Sequence, residues 1–354
     1  MAYTTINKST DYFNTTLWTG DGNSTQNITG TGFNADWIWL KGRSGSGDHQ
    51  LYDKVRGVQK MIISNGTNAE STNSIGLQTF GSDGFTMGSD MTGSGSTFTS
   101  WNWKANGQGS SNTDGSINTT YTSANTTSGF SISQYTGTGS NATVGHGMGV
   151  APKMVIVKRL NSTSQWSVYH ESIGNTKHLV LNTTAAESGA SANYWNNTTP
   201  TTSVFSIGAG TDVNASGGTY VAYCFAEKQG YSKFGSYIGN GSATDGAFIY
   251  TGFVPAFVIC KKTSGTDNWM MFTNKIGSST DSTSGFNIHS RIIEANGSGA
   301  EQSVGTDQGL DFVSNGFKIR EDNANLNGSG ATYIYMAFAE APLVGSNNVP
   351  ATAR

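Results

Sequence analysis

The sequence is poor in charge. Only 12% of its 354 residues are Asp, Glu, Lys or Arg, and the formal net charge is -3. A nucleic-acid-binding or anionic-membrane-binding surface needs a basic patch. The low, balanced charge therefore argues against nucleic acid and an anionic membrane surface as partners. We also predict no membrane insertion, because no long apolar run occurs.

Cysteine and long apolar runs are also scarce. The two cysteines, Cys224 and Cys260, lie inside apolar runs, and we expect two reduced, buried thiols rather than a disulfide. The amino terminus lacks the apolar core of a signal peptide, and no run approaches the roughly 20 residues that span a bilayer. These absences predict synthesis in a cytoplasm.

Glycine and aromatic residues are abundant instead. The chain has 47 Gly, 17 Phe, 14 Tyr and 8 Trp but only 5 Pro. No segment sustains apolar residues at helical spacing with capping signals. The composition therefore predicts many strands joined by glycine turns.

One short stretch occurs three times. It reads WIWLK followed by LYDKVRG, then MVIVK followed by WSVYHESIG, then FVICK followed by WMMFTNKIG. In each copy a lysine precedes an aromatic residue by eleven positions, and this aromatic precedes a glycine by five. The repeat positions are Lys41, Tyr52 and Gly57; Lys158, Tyr169 and Gly174; and Lys261, Phe272 and Gly277. Identical intervals in three copies indicate tandem repeats of one unit.

The strand pattern within a repeat predicts the fold class. Each copy contains a nearly continuous apolar strand ending at the lysine, an alternating strand such as Gly84 to Gly88, and a closing aromatic strand. About seven strands in roughly 100 residues are typical of an antiparallel sandwich. We therefore predict an all-β chain of three tandem β-sandwich repeats, jelly-roll or lectin-like. The repeats are expected either in line or packed on one another. The predicted boundaries are 1–115, 116–229 and 230–341, with an extended tail at 342–354. The Gly/Ser-rich connection from Asn106 to Gly129 predicts a loosely attached first repeat.

Catalytic and metal-binding motifs are missing. There is no GxSxG, HExxH, CxxC or P-loop. The five histidines fall at mostly different repeat positions, which excludes a shared imidazole chemistry and favours turn or surface histidines. Glu227 and Glu340 occupy equivalent strand ends and are interpreted as structural carboxylates. The spacing of Asn323, Asn325 and Asn327 imitates a calcium loop without its bidentate acid and is better explained by Asx turns. We predict no enzyme activity, cofactor or metal.

The remaining polar and aromatic candidates have two interpretations each. The repeat lysines could contact a ligand, but a lysine ending an apolar strand more often extends to water and guards a sheet edge. Trp101, Trp103, Trp195 and Trp269 could stack on glycans or could fill the cores. The sequence does not distinguish ligand contact from a structural role for either the lysines or the tryptophans.

The amino-acid sequence resembles a known class of proteins. The opening AYTTINKSTDYFNTTLWTGDG, the strands DWIWLK and APKMVIVK, and the ending YVAYCFAE are similar to repeat-built virion structural proteins of marine tailed bacteriophages. The resemblance covers essentially the whole chain and implies a head decoration, fibre or tail-associated component. The first repeat ends in WNWKA instead of CFAE, a departure that would suit a specialised attachment domain.

These observations yield a leading hypothesis and an alternative. The leading hypothesis is a non-enzymatic virion structural protein exposed on the particle surface, with other virion proteins and further copies of itself as partners. The alternative is a glycan-binding host-receptor adhesin of the tail.

Overall fold

The structure, a computed structural model, describes residues 3–276, 288–303 and 309–345. The chain is all-β, and its strands pair antiparallel. The strands fall into three groups, called here the first unit (residues 3–105), the second unit (106–229) and the third unit (from 230). Gly277 of the predicted repeat positions, part of the predicted strand at Phe286 and most of the predicted tail lie outside the described residues.

The strands of the first unit are β1 (Phe13–Thr19), β2 (Thr25–Thr29), β3 (Trp37–Gly42), β4 (Gln50–Asp53), β5 (Lys60–Met61), β6 (Ser71–Thr72), β7 (Leu77–Gly81), β8 (Gly84–Gly88) and β9 (Thr97–Trp103). Those of the second are β10 (Tyr121–Asn125), β11 (Phe130–Thr136), β12 (Ala142–Gly145), β13 (Met154–Arg159), β14 (Ser167–His170), β15 (Leu179–Val180), β16 (Val204–Ile207) and β17 (Thr219–Phe225). Those of the third are β18 (Ser232–Ile238), β19 (Phe248–Tyr250), β20 (Phe253–Lys262), β21 (Trp269–Thr273), β22 (Ile288–His289), β23 (Arg291–Glu294), β24 (Gln302–Ser303), β25 (Leu310–Val313), β26 (Gly316–Ile319) and β27 (Thr332–Pro342).

Helix is confined to single turns in the described part of the chain. These are α1 (Ala192–Trp195), α2 (Thr211–Asn214) and three 3-10 turns at Ser9–Asp11, Ser89–Met91 and Glu171–Ile173. No helix in the described ranges is long and apolar enough to cross a membrane.

Each unit has a main sheet with the same central strand order. The orders are β1-β9-β3-β4, β10-β11-β17-β13-β14-β15 and β18-β27-β20-β21-β23-β24. A smaller second sheet lies in each unit, with the orders β2-β8-β7, β12-β16 and β19-β26-β25-β22. Each unit is therefore built from two antiparallel layers.

The central strand of each main sheet is buried on both faces. In β13, Met154 and Ile156 face one core, whereas Val155 and Val157 face another. Because successive side chains of a strand point to opposite faces, one strand serves two cores. The alternating strand β8 likewise places Phe85 and Met87 on a buried face, as its sequence pattern predicts.

The inward faces of the three main sheets meet in a single shared core. It includes Trp37 and Trp103 from the first unit, Phe225 from the second, and Phe257 and Phe338 from the third. Phe13 stacks on Phe338 with ring centroids 5.0 Å apart, and Trp37 stacks on the Tyr223 ring at 4.4 Å. Three further cores lie between the two layers of the individual units. Of the two expected arrangements, the in-line one is therefore wrong, because the units pack around common apolar contacts.

The connection after the first unit is ordered. Ala105 N and Gly107 N donate to the carboxylate of Asp36, at 2.7 and 3.2 Å. Strand β10 pairs with β11, and Ile117 N donates to Thr143 O of the edge strand β12. The prediction of a loosely attached first repeat is wrong, since this polar segment makes specific hydrogen bonds at both ends.

The shared core predicts that the chain unfolds in one cooperative step. Phe338→Ala in the third unit removes the ring that stacks on Phe13 and should destabilise the whole chain by about 3–5 kcal/mol. In differential scanning calorimetry we expect one transition, with a calorimetric enthalpy equal to the van't Hoff enthalpy, that moves as a whole in the variant. Separate transitions, of which only one moves in Phe338→Ala, would contradict the shared core.

Candidate functional site

The repeat lysines are buried, contrary to the expectation that they extend to water. Lys41, Lys158 and Lys261 are each 0% exposed. Each donates from Nζ to a backbone carbonyl of another unit: Lys41 to Ser298 O at 3.3 Å, Lys158 to Thr67 O at 3.0 Å, and Lys261 to Thr184 O at 3.2 Å. The lysines therefore join units rather than guard a sheet edge.

The same three carbonyls accept a second hydrogen bond. The donor in each case is the backbone N–H six residues after the lysine, at 2.8–2.9 Å, and the pairs are Gly47–Ser298, Ser164–Thr67 and Asp267–Thr184. A ring N–H eight residues after the lysine also crosses each junction: Trp166 Nε1 to Ile63 O at 2.8 Å, Trp269 Nε1 to Val180 O at 3.0 Å, and His49 Nε2 to Glu294 O at 3.0 Å. His49 accepts from Trp39 Nε1 at Nδ1, so its proton lies on Nε2, the atom that crosses the junction.

A glutamate completes each junction. Its backbone N–H donates to the carbonyl of the residue two positions after the lysine, and the pairs are Glu70–Leu160, Glu187–Thr263 and Glu301–Arg43, at 2.8–3.0 Å. The bonds of the lysine, the N–H six residues on, the ring eight residues on and the glutamate are together called the junction clasp. The lysine of the second unit donates to the first unit, that of the third unit to the second, and that of the first unit to the third. The three junctions therefore close a ring.

The polar residue after the repeat aromatic also lies at a junction. Asp53 accepts from Tyr223 of the second unit at 2.7 Å, and His170 Nε2 lies 3.2 Å from Tyr335 O of the third unit. Thr273 Oγ1 lies 3.0 Å from Thr15 Oγ1 of the first unit. This position varies in the sequence because each junction offers a different partner.

The first of these contacts belongs to a buried ion-pair network. Arg56 Nε lies 2.6 Å from Asp53 Oδ2, and both side chains are at most 1% exposed. Arg56 also contacts Glu70 at 3.1 Å and donates to Lys60 O and Leu51 O. A buried charge pair requires such additional hydrogen bonds to offset its desolvation.

The repeat aromatics and glycines are structural. Tyr52, Tyr169 and Phe272 are buried in the cores of their own units. Gly57 and Gly174 have φ values of 95° and 79°, which L side chains rarely adopt. The two glycines end the aromatic segment at a turn that requires a positive φ.

Gly174 offers a test of this conformational requirement. A Cβ at Gly174 would meet no atom within 4 Å, so Gly174→Ala should cost about 1–3 kcal/mol through backbone strain alone. Gly189→Ala is the matched control, because its Cβ also meets nothing and its φ is not positive. Urea unfolding should show a lower midpoint for Gly174→Ala only; equal midpoints for both variants would argue against a required positive φ.

Burial lowers the pKa of each repeat lysine from its ordinary value of 10.5 to about 8. The charges that face them, Asp48, Asp212 and Asp267, partly counteract this effect. Between pH 8 and 10.5 the unfolded chain binds lysine protons that the folded chain lacks. The lysine contribution to the free energy of unfolding therefore rises with pH in this window.

The variant Lys158→Met isolates one of these contributions. Burial raises the pKa values of Cys224 and Cys260, so these thiols lower the free energy of unfolding as pH rises above about 9. Wild type and variant share this effect, and the difference between them therefore reports the contribution of Lys158 alone. We expect the deficit of Lys158→Met, measured by urea unfolding, to grow by about 1.5 kcal/mol between about pH 8 and 9.5. Lys275→Met, at an exposed lysine, is the control. A pH-independent deficit for Lys158→Met would show that Lys158 does not titrate in this window.

The tryptophans considered for glycan contact are buried. Trp101, Trp103 and Trp269 are at most 1% exposed and lie in the shared core. Trp195 is 2% exposed and packs edge-on against Tyr169 in the core of the second unit. No face of these rings is available for a sugar, so the predicted glycan contact through them is wrong. The WNWKA ending of the first repeat contributes Trp101 and Trp103 to the shared core.

The histidines and cysteines are also internal. All five histidines are at most 8% exposed, which corrects the expectation of turn or surface histidines. Burial lowers the pKa of His49 to about 3 and that of His170 to about 4, so both are neutral at physiological pH. Cys224 and Cys260 are free and buried, as the sequence predicts.

The carboxylates and the asparagine-rich loop make structural contacts. Glu227 pairs with Lys233 at 2.7 Å, in agreement with its structural interpretation. Asn327 donates to Asn240, Ser242 and Glu321 and accepts from Asn240 N, so its side chain is fully engaged by protein groups. Within the described ranges, no group of three or more His, Cys, Asp or Glu side chains could hold a metal ion.

A groove of about 490 Å³ lies between the second and third units. Its lining includes Ser172, Ile173 and Lys177 from one side and Ser236 and Ile238 from the other. Glu187 in its wall forms an ion pair with Lys177. The groove offers hydroxyls and one neutralised charge pair, which could hold a small polar molecule but do not form an acid–base pair.

Sequence reasoning missed two components of the clasp. Glu70 and Glu187 both follow the repeat glycine by thirteen residues, an interval that the sequence displays. His49 stands where the other copies have Trp166 and Trp269, eight residues after the lysine. Histidine and tryptophan share a ring N–H donor, and only the three-dimensional structure shows that this donor is what the position requires.

One family model, described as Domain of unknown function (DUF7483), matches residues 8–342. The chain belongs to this family. The match runs through all three units, in keeping with their shared core. Neither the search of curated proteins nor the search of solved structures found a match.

Proposed function

We propose that the protein is a non-enzymatic structural component of a bacteriophage particle, exposed on the particle surface as a capsid decoration or as part of a fibre. The observation that carries this proposal is the ring of junction clasps. The most regular polar groups of the chain join its three units into one body. A particle component needs such a rigidly joined fold, because it must stay folded outside the cell, where no chaperone can refold it.

The distribution of reactive groups supports a non-enzymatic role. The described histidines and both thiols are buried, and the groove between the second and third units holds a lysine–glutamate pair rather than two free carboxylates. A glycan hydrolase on this scaffold would need two carboxyl groups about 5–10 Å apart in one cleft. Asp48 and Asp90 line a second cleft, on the first unit, but their carboxylates accept hydrogen bonds from the side-chain amides of Asn65 (to Asp48) and of Gln50 and Asn73 (to Asp90), which favours a structural role.

The weakly charged surface suits an exposed particle protein in salt water. At about 1 M salt the Debye length is about 3 Å, so surface charge contributes little to colloidal stability. An uncharged surface of Ser, Thr, Asn and Gly therefore gives up little colloidal stability compared with a charged surface under these conditions. The low charge content of 12% is compatible with this environment.

The alternative function, a glycan-binding adhesin of the tail, loses its original support because the tryptophans on which it depended are buried. It needs an exposed aromatic surface elsewhere on the molecule.

Quantitative mass spectrometry of purified particles tests the particle role. Particles would be banded by density, washed at high salt and compared with a non-structural protein of the same virus as the contamination baseline. We expect this chain in a fixed ratio to the major capsid or tail proteins, together with surface labelling by immunogold. A level no higher than the baseline would refute the proposal.

A further inference from the structure

Two aromatic side chains stand apart from the rest. Phe248 and Tyr250 are 51% and 54% exposed, and no other aromatic side chain among the described residues is classed as exposed. They flank the buried Ile249 on strand β19, so both project from the outer face of the second sheet of the third unit. Exposed aromatic pairs on one face are costly in water and indicate a binding surface.

The fold itself does not require these aromatics. The equivalent strand β2 has Asn27 and Thr29 around the buried Ile28. In the first unit this outer face is polar, with Thr86 Oγ1 donating to the Asn27 side chain at 2.7 Å. The same scaffold is thus built elsewhere in the chain with polar residues at both positions.

A glycine on the neighbouring strand borders the Phe248 ring. Gly316 pairs with Tyr250 across the sheet. A Cβ at Gly316 would lie 2.0 Å from Ile249 O and 3.2 Å from Phe248 Cε2, so no side chain fits there. The Phe248 ring therefore lies against Gly316. The Tyr250 ring lies near Gly252, whose carbonyl accepts a hydrogen bond from the Tyr3 hydroxyl.

Charged groups of balanced sign border the rings. Lys318 pairs with Phe248 across the sheet, and its Nζ lies 2.6 Å from Asp245 Oδ1. Arg320 Nε lies 3.5 Å from Asp311 Oδ2, whereas Asp311 Oδ1 is buried. Two cations face two carboxylates, which disfavours a strongly anionic ligand and leaves donors and acceptors for hydroxyl groups.

We propose that Phe248 and Tyr250 form a binding site for a neutral glycan. The rings stack on the apolar faces of sugar rings, and the exposed Lys318–Asp245 pair binds sugar hydroxyls. The apolar area of these two side chains is far smaller than the roughly 800 Å² that each partner contributes to a stable protein interface. A glycan is therefore a better match for this surface than a protein. The proposal does not rest on the particle role, because it concerns the isolated chain.

Affinity electrophoresis in native gels tests the site. The purified full chain would be run through gels containing a neutral polysaccharide, namely laminarin, mannan, galactan or dextran, or the polyanion alginate as a comparison. We expect retardation by at least one neutral polysaccharide. The double variant Phe248→Asn with Tyr250→Thr, which installs the residues of the first unit, should weaken the apparent affinity at least tenfold, since stacking contributes most of the contact.

Two control variants make the result specific. Ile75→Ser removes another exposed apolar side chain, 52% exposed in the first unit, and should leave retardation unchanged. Unaltered circular dichroism and melting of the double variant would show that it folds. Asp245→Asn should weaken binding by a smaller factor than the double variant.

Four results would overturn the proposal. They are no retardation by any neutral polysaccharide, retardation unaffected by the double variant, retardation by alginate alone, and binding that appears only after residues 346–354 are deleted, which would make the chain's own end the occupant. Sedimentation velocity adds one further check: dissociation of an oligomer by the double variant would show that a second copy covers this face.

Discussion

Three backbone carbonyls, those of Thr67, Thr184 and Ser298, determine how the chain is assembled. Each accepts a lysine Nζ and a backbone N–H from another unit. Because the first unit donates to the third, the second to the first and the third to the second, the contacts return to their starting point. A linear row of repeats would leave one donor set and one acceptor set without partners. Ring closure satisfies both sets, and it brings the inward faces of the three main sheets together over one shared core.

The clasp explains why a chain with little charge keeps three lysines in its interior. A buried cation is costly unless it is hydrogen-bonded, and each lysine offers three donors on a long, thin stem. Lys158 uses them on Thr67 O of the first unit and Ser164 O of its own unit. Burial lowers the pKa of Lys158 to about 8, and the nearby charge of Asp212 partly counteracts this effect. The lysines contribute correct pairing of the units as well as stability, since an unpaired ammonium would penalise any other arrangement.

Much of the local structure was predictable, because strand patterns follow from alternation. The all-β class, the doubly buried central strand Met154–Arg159 and the alternating strand at Gly84 are visible in the sequence. The arrangement of the units was not, since the apolar faces of separate sandwiches and of one shared core have the same pattern. Trp101 and Trp103 illustrate this: their spacing places them on one face but does not say whether that face meets water, a ligand or another unit. The aromatic pair at Phe248 and Tyr250 was missed for the opposite reason, because two aromatics in a strand normally indicate a core.

Hydrogen exchange at the junction between the first and third units tests ring closure most directly, because chain succession does not require this contact. The amides of Gly47 and Glu301 donate to Ser298 O and Arg43 O. Ring closure predicts that both amides exchange as slowly as Ser164 and Glu70, which occupy the equivalent positions between the first and second units. Exchange of Gly47 and Glu301 at the rate of exposed loop amides, with Ser164 and Glu70 protected, would contradict the closed ring.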